Sequence, residues 1–181
     1  MAIVRRAFLA ALPDAAARLQ LSELQARLRP QHLGLRWIDA VDLHLTLRFL
    51  GDIDPGRARA FEPLLDAWSA GGPIELSGAA IEDWHGRVLV ATFATTPVLE
   101  RLVRSIEQAV RAMGFPAETR AFRAHATLAR GRAGIQPRTA LPDSVAPLRC
   151  DRIGLLARAE AESTARRYRE LSEPRWVGTS G

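Results

Sequence analysis

Two histidines and two threonines stand in the same short pattern in this chain, His44-Leu45-Thr46 and His125-Ala126-Thr127. Each copy lies in a strand-like run, VDLHLTLRFLG and FRAHATLARGR. Side chains alternate faces along a strand. His44 and Thr46 therefore share one face, with Leu43, Leu45 and Leu47 on the other. His125 and Thr127 likewise share a face, with Ala126 and Leu128 turned away. An imidazole with a pKa of about 6.5 gives or takes a proton near neutral pH, and a threonine hydroxyl donates to a phosphoryl or carboxylate oxygen. The pattern points to acid–base chemistry at a cleft shared by two halves of the chain. With four histidines present, a threonine two residues on has a chance of roughly 5% each time, so two such pairs arise by chance in roughly 1–2% of such chains. Arg48 has the parity of His44 and Thr46 and is a candidate phosphate contact on the same face.

The elements that must carry these residues are interleaved strands and helices. Ala2 to Leu12 reads as a strand closed by Pro13. Asp14 caps a helix with the stripe Leu19, Leu21, Leu24 and Leu28, ended by Pro30. A short strand at 35–38 and a turn at 39–42 lead into the first motif strand, Leu43 to Leu50, which Gly51-Asp52 breaks. A second helix runs from Pro55 to Ala70, stopped by Gly71-Gly72-Pro73. Strands follow at 74–76, 79–83 and 87–94, the last two joined by a His85-Gly86 hairpin turn. A third helix spans Pro97 to Met113 and ends at Gly114. The second motif strand is Phe122 to Arg130, followed by a turn-rich stretch at 131–147. Further strands are expected at 148–158 and 168–171. Short hairpin connections between interleaved elements indicate an α+β fold with antiparallel sheets.

Composition narrows the chemistry. A chain of 181 residues that is 48% hydrophobic supports one compact domain, or two small lobes packed together. No apolar run reaches the roughly 18–20 residues that span a bilayer. The opening MAIVRRAFLAALPDAA reads as a first strand and not as a signal peptide. The lone Cys150 rules out an internal disulfide and a multi-cysteine metal site, and fits a cytoplasmic home. All 25 basic residues are arginine, and the net charge is +5, which favours a polyanionic partner. Without lysine, no adenylylated-lysine intermediate can form. There is no GxxxxGK[ST] loop for nucleotide phosphates, and no HExxH or other clustered metal-ligand spacing. His32 reads as a surface or capping histidine. Phe8, Phe49 and Phe122 read as core, and Trp37 and Trp84 as exposed stacking candidates.

The segments HLTLRFLG and HATLAR resemble the paired signatures of the 2H phosphoesterase superfamily, in its branch of bacterial RNA 2′,3′-cyclic phosphodiesterases, also called 2′-5′ RNA ligases. RAFLAALP at the start, Arg36-Trp37 before the first motif and Tyr168…Trp176 near the end are similar too. The resemblance covers nearly the whole chain. It implies one 2H domain over residues 1–181, bilobal with pseudo-twofold symmetry, its antiparallel sheets and outer helices set around a central cleft. The motifs fall at 44–47 and 125–128. It implies hydrolysis of an RNA 2′,3′-cyclic phosphate end to a 2′-phosphomonoester, with His44 as proton donor and His125 as proton acceptor. Thr46 and Thr127 would hold the non-bridging oxygens, and Arg130 would assist in binding phosphate. No cofactor and no metal are implied. The partner is RNA with a cyclic phosphate end, such as a tRNA fragment, and the expected state is a monomer. Weak ATP-independent 2′-5′ ligation would be the same chemistry in reverse. Strict alternation places Arg130 opposite His125 and Thr127, so its role requires a bend or bulge. Two rival readings remain: another 2H branch acting on ADP-ribose or nucleotide cyclic phosphates, and a non-catalytic RNA-binding module.

Overall fold

A computed structural model describes residues 3–131, 144–159, 167–172 and 175–176. The chain order is β1 (Val4–Pro13), α1 (Ala15–Leu28), β2 (Arg36–Trp37), β3 (Leu45–Ile53), α2 (Pro55–Arg59), α3 (Glu62–Ser69), β4 (Ile74–Leu76), β5 (Gly78–Trp84), β6 (Val88–Phe93), α4 (Pro97–Ala112), β7 (His125–Arg130), β8 (Leu148–Arg158), β9 (Tyr168–Glu170) and β10 (Arg175–Trp176). The strands join into one antiparallel sheet with the central path β8-β1-β3-β7-β6-β5. The fold is α+β, as the interleaving of elements predicts.

The two halves repeat one plan. In each, a strand leads into a helix and then into a motif strand: β1-α1-β3 and β6-α4-β7. Each first strand pairs with its own motif strand, β1 with β3 and β6 with β7. An outer strand completes each wing, β5 before β6 in the second half and β8, from late in the chain, beside β1 in the first. The wings meet at the pair Leu45↔Ala126, the middle residues of the two motifs.

Both helices that follow the first strands are capped by side chains. Asp14 Oδ1 accepts from the Ala17 N–H at 2.8 Å, and Thr96 Oγ1 from the Leu99 N–H at 3.3 Å. Each cap satisfies a backbone donor that the first helical turn leaves free. The helices cover one face of the sheet. Leu21, Leu24 and Leu28 of α1, and Leu99, Ile106 and Val110 of α4, bury there with Leu9, Leu45 and Leu128. Phe8, Ala10 and Leu12 of β1 point to the opposite face and form a smaller apolar cluster with Leu156. β1 is thus buried on both sides, and its period-two alternation divides the core from the cleft.

Several expectations change. Leu19 is 61% exposed, and the buried stripe of α1 runs through Ala17, Leu21, Leu24 and Leu28. The second helix is two pieces, α2 and α3, turned at Ala60-Phe61 so that Phe61 buries completely. Gly51 does not end β3. It adopts φ +79°, a left-handed conformation open to glycine, and the strand continues to Ile53. β7 begins at His125 and not at Phe122. His32 is buried rather than at the surface. The His85-Gly86 turn is present, with φ of 61° and 62°. Ala2 and most of the turn-rich stretch, residues 132–143, lie outside the described residues.

Candidate active site

The register at the seam assembles the two motifs. With Leu45 opposite Ala126, antiparallel pairing sets His44 opposite Thr127 and Thr46 opposite His125. All four side chains then share the face away from the helices, because Leu45 and Ala126 are fully buried on the helix side. Directly opposed residues lie about 4.5–5.5 Å apart and diagonal ones about 7–8 Å. The two imidazoles are the diagonal pair. A group held between them is reached from two sides.

Each imidazole is fixed the same way. His44 Nδ1 lies 2.6 Å from the Asp42 carbonyl oxygen, and His125 Nδ1 lies 2.7 Å from the Arg123 carbonyl oxygen. A carbonyl only accepts, so Nδ1 carries the proton in both rings and Nε2 is left for the cleft. The Asp42 carboxylate in turn accepts from the Arg167 N–H at 2.8 Å, which ties the turn before the first motif to the segment before β9. Aromatic rings hold the imidazole planes. His44 sits 4.8 Å from Phe8 and meets the Tyr168 ring edge-on at 5.1 Å. His125 packs 4.4 Å from Trp84. The Trp84 indole donates to Glu82 at 2.9 Å, and Glu82 accepts from Arg123 at 2.8 Å. The residue whose carbonyl orients His125 is therefore itself anchored.

Burial acts on both histidines. It pushes His44 down from 6.5 to about 4, against the opposing pull of the Asp42 carbonyl and charge, while Arg130 and His125 push it further down. His125 is also lowered, first by burial, with the Arg123 carbonyl opposing. Both rings are held toward the neutral form until a negative group enters.

The arginines separate. Beside His44 and Thr46 lies a cleft of about 200 Å³, lined also by Arg6, Phe8, Phe49, Arg130, Arg158, Arg167 and Tyr168. Arg130 reaches it because β7 is bulged. Leu89 pairs with Ala129 and Val90 with Thr127, so Leu128 is an extra residue and the parity reverses after it. Leu128 and Ala129 both bury, and Arg130 turns to the face of His125 and Thr127. The Arg130 Nε is buried with no hydrogen-bond partner among the described residues.

Arg48, expected on the cleft face, is on the other side. Leu9 pairs with Arg48 and Ala10 with Thr46, so Leu47 is an extra residue in β3. This bulge turns Arg48 toward the helix face, where its Nε donates to Glu107 of α4 at 2.7 Å. Its place in the cleft falls to Phe49, which is 40% exposed and not core as expected. Phe8 is buried, but on the cleft side. The sequence reading missed Arg6, Arg158, Arg167 and Tyr168 because they come from three segments far from the motifs. The aromatic sequence pattern offered a partial signal at Trp84 and Tyr168.

Cys150 is fully buried, and burial drives its thiol well above the usual range. Among the described residues no group of three or more His, Cys, Asp or Glu is placed to hold a metal ion, and no helix is long and apolar enough to cross a membrane.

Comparison with known proteins places the chain in a family. The family model described as LigT like Phosphoesterase matches residues 12–81. An RNA 2′,3′-cyclic phosphodiesterase of Geobacillus stearothermophilus is 32% identical over 112 residues, 56% of this chain and 35% of that protein. The match thus spans about a third of that relative's length. An RNA 2′,3′-cyclic phosphodiesterase of Methanothermobacter thermautotrophicus is 30% identical over 130 residues, 69% of this chain and 70% of that one. The crystal structure of E. coli LigT complexed with 3′-AMP superimposes with a TM-score of 0.75 at 22% identity, covering 97% of this chain and 99% of that chain. A relative matched over more than two thirds of its length, and a fold shared along the whole chain, make this protein a member of the LigT-like phosphoesterase family.

Proposed function

We propose that the protein hydrolyses 2′,3′-cyclic phosphate ends of RNA to 2′-phosphomonoesters. The observation that carries this reading is the pair of imidazoles with matched Nδ1–carbonyl bonds, set diagonally across the Leu45–Ala126 pair with a threonine opposite each. In-line attack at phosphorus needs a base on the entering side and an acid on the leaving side. The cavity of about 200 Å³ is lined by His44 and Thr46 and not by His125 or Thr127, so the ribose and its 3′ oxygen go on the His44 side. Trp84 closes the His125 side, which leaves room for water.

His125 Nε2 takes a proton from water as the water oxygen bonds to phosphorus. The P–O3′ bond breaks, and His44, as imidazolium, gives its proton to O3′. His44 must first be protonated, although burial favours its neutral form; the negative charge of the bound phosphodiester reverses that bias. Thr46 and Thr127 donate to the non-bridging oxygens, and Arg130 offers its free donors. These contacts strengthen as charge gathers on the equatorial oxygens. With the 5′-hydroxyl of a second RNA in place of water, the same steps form a 2′-5′ bond without ATP: O5′ bonds to phosphorus, P–O3′ breaks, and O3′ takes the proton of His44.

The test is incubation with an RNA ending in a 2′,3′-cyclic phosphate, without added metal or ATP, followed by mapping of the phosphate. A 2′-phosphate product is expected. RNA binding without turnover, unchanged by substitution of both histidines, would overturn the reading.

A further inference from the structure

The cleft holds more positive charge than one cyclic phosphate can use. Such a phosphodiester carries a single negative charge, and Arg130, the two threonines and an imidazolium already meet it. Yet Arg6, Arg158 and Arg167 line the same cleft, and among the described residues no carboxylate does. Among the described residues none of these three guanidinium groups has an ion-pair partner within 4.0 Å. Arg130 is held below its ordinary value first by burial, which Tyr168 opposes and the charges of Arg167, Arg6 and Arg36 reinforce.

Three separate segments converge to present these charges. Arg158 pairs with Tyr168 across β8 and β9, so it sits beside the ring that touches His44. Arg167 stacks 5.9 Å over Tyr168, and Arg6 lies 5.8 Å over Phe49. A stacked guanidinium keeps its N–H edge free for an anion. Arg6 is held at φ +55° inside a bulge of β1, where Asp52 Oδ1 accepts its N–H at 2.8 Å. The left-handed region is strained for any residue with a Cβ, so the chain maintains a strained backbone at a residue whose side chain, among the described residues, reaches the cleft and Phe49.

We propose that Arg6, Arg158 and Arg167 form a second phosphate site, and that the preferred substrate carries a phosphate on the 5′ side of its terminal nucleoside. This rests on the cyclic-phosphate reading above. The wall they form adjoins His44, where the ribose lies, so the next phosphate of the strand falls on it.

Three probes separate the sources of that phosphate: adenosine 2′,3′-cyclic phosphate, the same compound bearing a 5′-phosphate, and a diadenosine dinucleotide with a 2′,3′-cyclic end. Both of the latter two are expected to exceed the first in kcat/KM by about tenfold or more, the scale of charge-assisted contacts. The advantage should fall steeply with salt. In Arg158→Ala and Arg167→Ala the ratio of the 5′-phosphorylated probe to the plain one should drop toward one, with thermal melting confirming that the variants fold. Equal kcat/KM for all three probes overturns the site. So does a gain for the dinucleotide alone, which would report a second base, or a ratio untouched in both variants. If none of the probes is hydrolysed, the function reading fails, and calorimetric Kd values for the same three compounds decide the second site by the same ratios.

Discussion

In β3 the ladder with β1 skips a residue at Leu47, and in β7 the ladder with β6 skips one at Leu128. Both bulges fall three residues after the histidine, and both reverse strand parity at the same place. The fifth residue after each histidine therefore turns into the cleft. In β3 that residue is Phe49, and in β7 it is Arg130. The fourth is Arg48 in β3, bound to Glu107, and Ala129 in β7, fully buried. One backbone device thus delivers an apolar ring from one half and a cation from the other. The histidine settings follow the same rule of shared backbone and unequal surroundings. Each Nδ1 is held by the carbonyl two residues back, but His44 is enclosed by Phe8 and Tyr168, while the ring against His125 among the described residues is Trp84. Symmetry sets the geometry, and the departures from it give the two imidazoles different surroundings.

The largest effect should come from the histidines themselves. His44→Ala and His125→Ala are each expected to lower kcat by about 10²–10⁴-fold in steady-state assays. Near-normal turnover in either would break the equivalence of the two halves. The two arginines sharpen the contrast between the bulged strands. Arg130→Ala should lower kcat/KM by about 10–100-fold through lost charge-assisted bonds, with little change in melting temperature. Arg48→Ala should do the opposite, costing about 1–3 kcal/mol of stability by stranding Glu107. A rate loss in Arg48→Ala without a stability loss would return it to the cleft.

The pH profile of kcat/KM reports the free protein. His44 is at about 4 and His125 below 6.5, so the singly protonated site is most populated between those values. The profile should rise through about pH 4 and already be falling by pH 7. In kcat, bound phosphate favours imidazolium, so the falling limb should sit higher. A kcat/KM profile flat from pH 5 to 8 would remove one histidine from the chemistry. The smallest effect is expected at Trp84. Trp84→Ala opens His125 to water and relieves the burial that lowers it, so the falling limb should move up toward 6.5. Trp84→Phe, which keeps a ring on the imidazole, should leave that limb in place.

Much of this was legible in residue types and spacing. Asp14 and the Pro97 start marked two helices, and the His85-Gly86 turn marked a hairpin, because each depends on local backbone chemistry. The four motif side chains were legible for the same reason: two residues apart in a strand means one face. Arg48 and Phe49 were misplaced because alternation holds only in an unbroken ladder. A bulge is an agreement between two strands, and nothing in HLTLRFLG alone reports that Leu9 and Ala10 will pair with Arg48 and Thr46. Leu19 was misjudged, and His32 caps the turn at 29–31 but is buried, because one turn of helix faces solvent or core according to what packs on it.

The sequence by itself determined the chemistry, two imidazoles and two hydroxyls on paired strand faces, because side-chain type and period two need no partner. The tertiary structure alone decided which arginine lines the cleft and where the charge of the cleft gathers. Arg130, Arg6, Arg158 and Arg167 meet only after the bulges set parity and four segments converge. That convergence depends on long-range strand pairing, which local spacing does not encode.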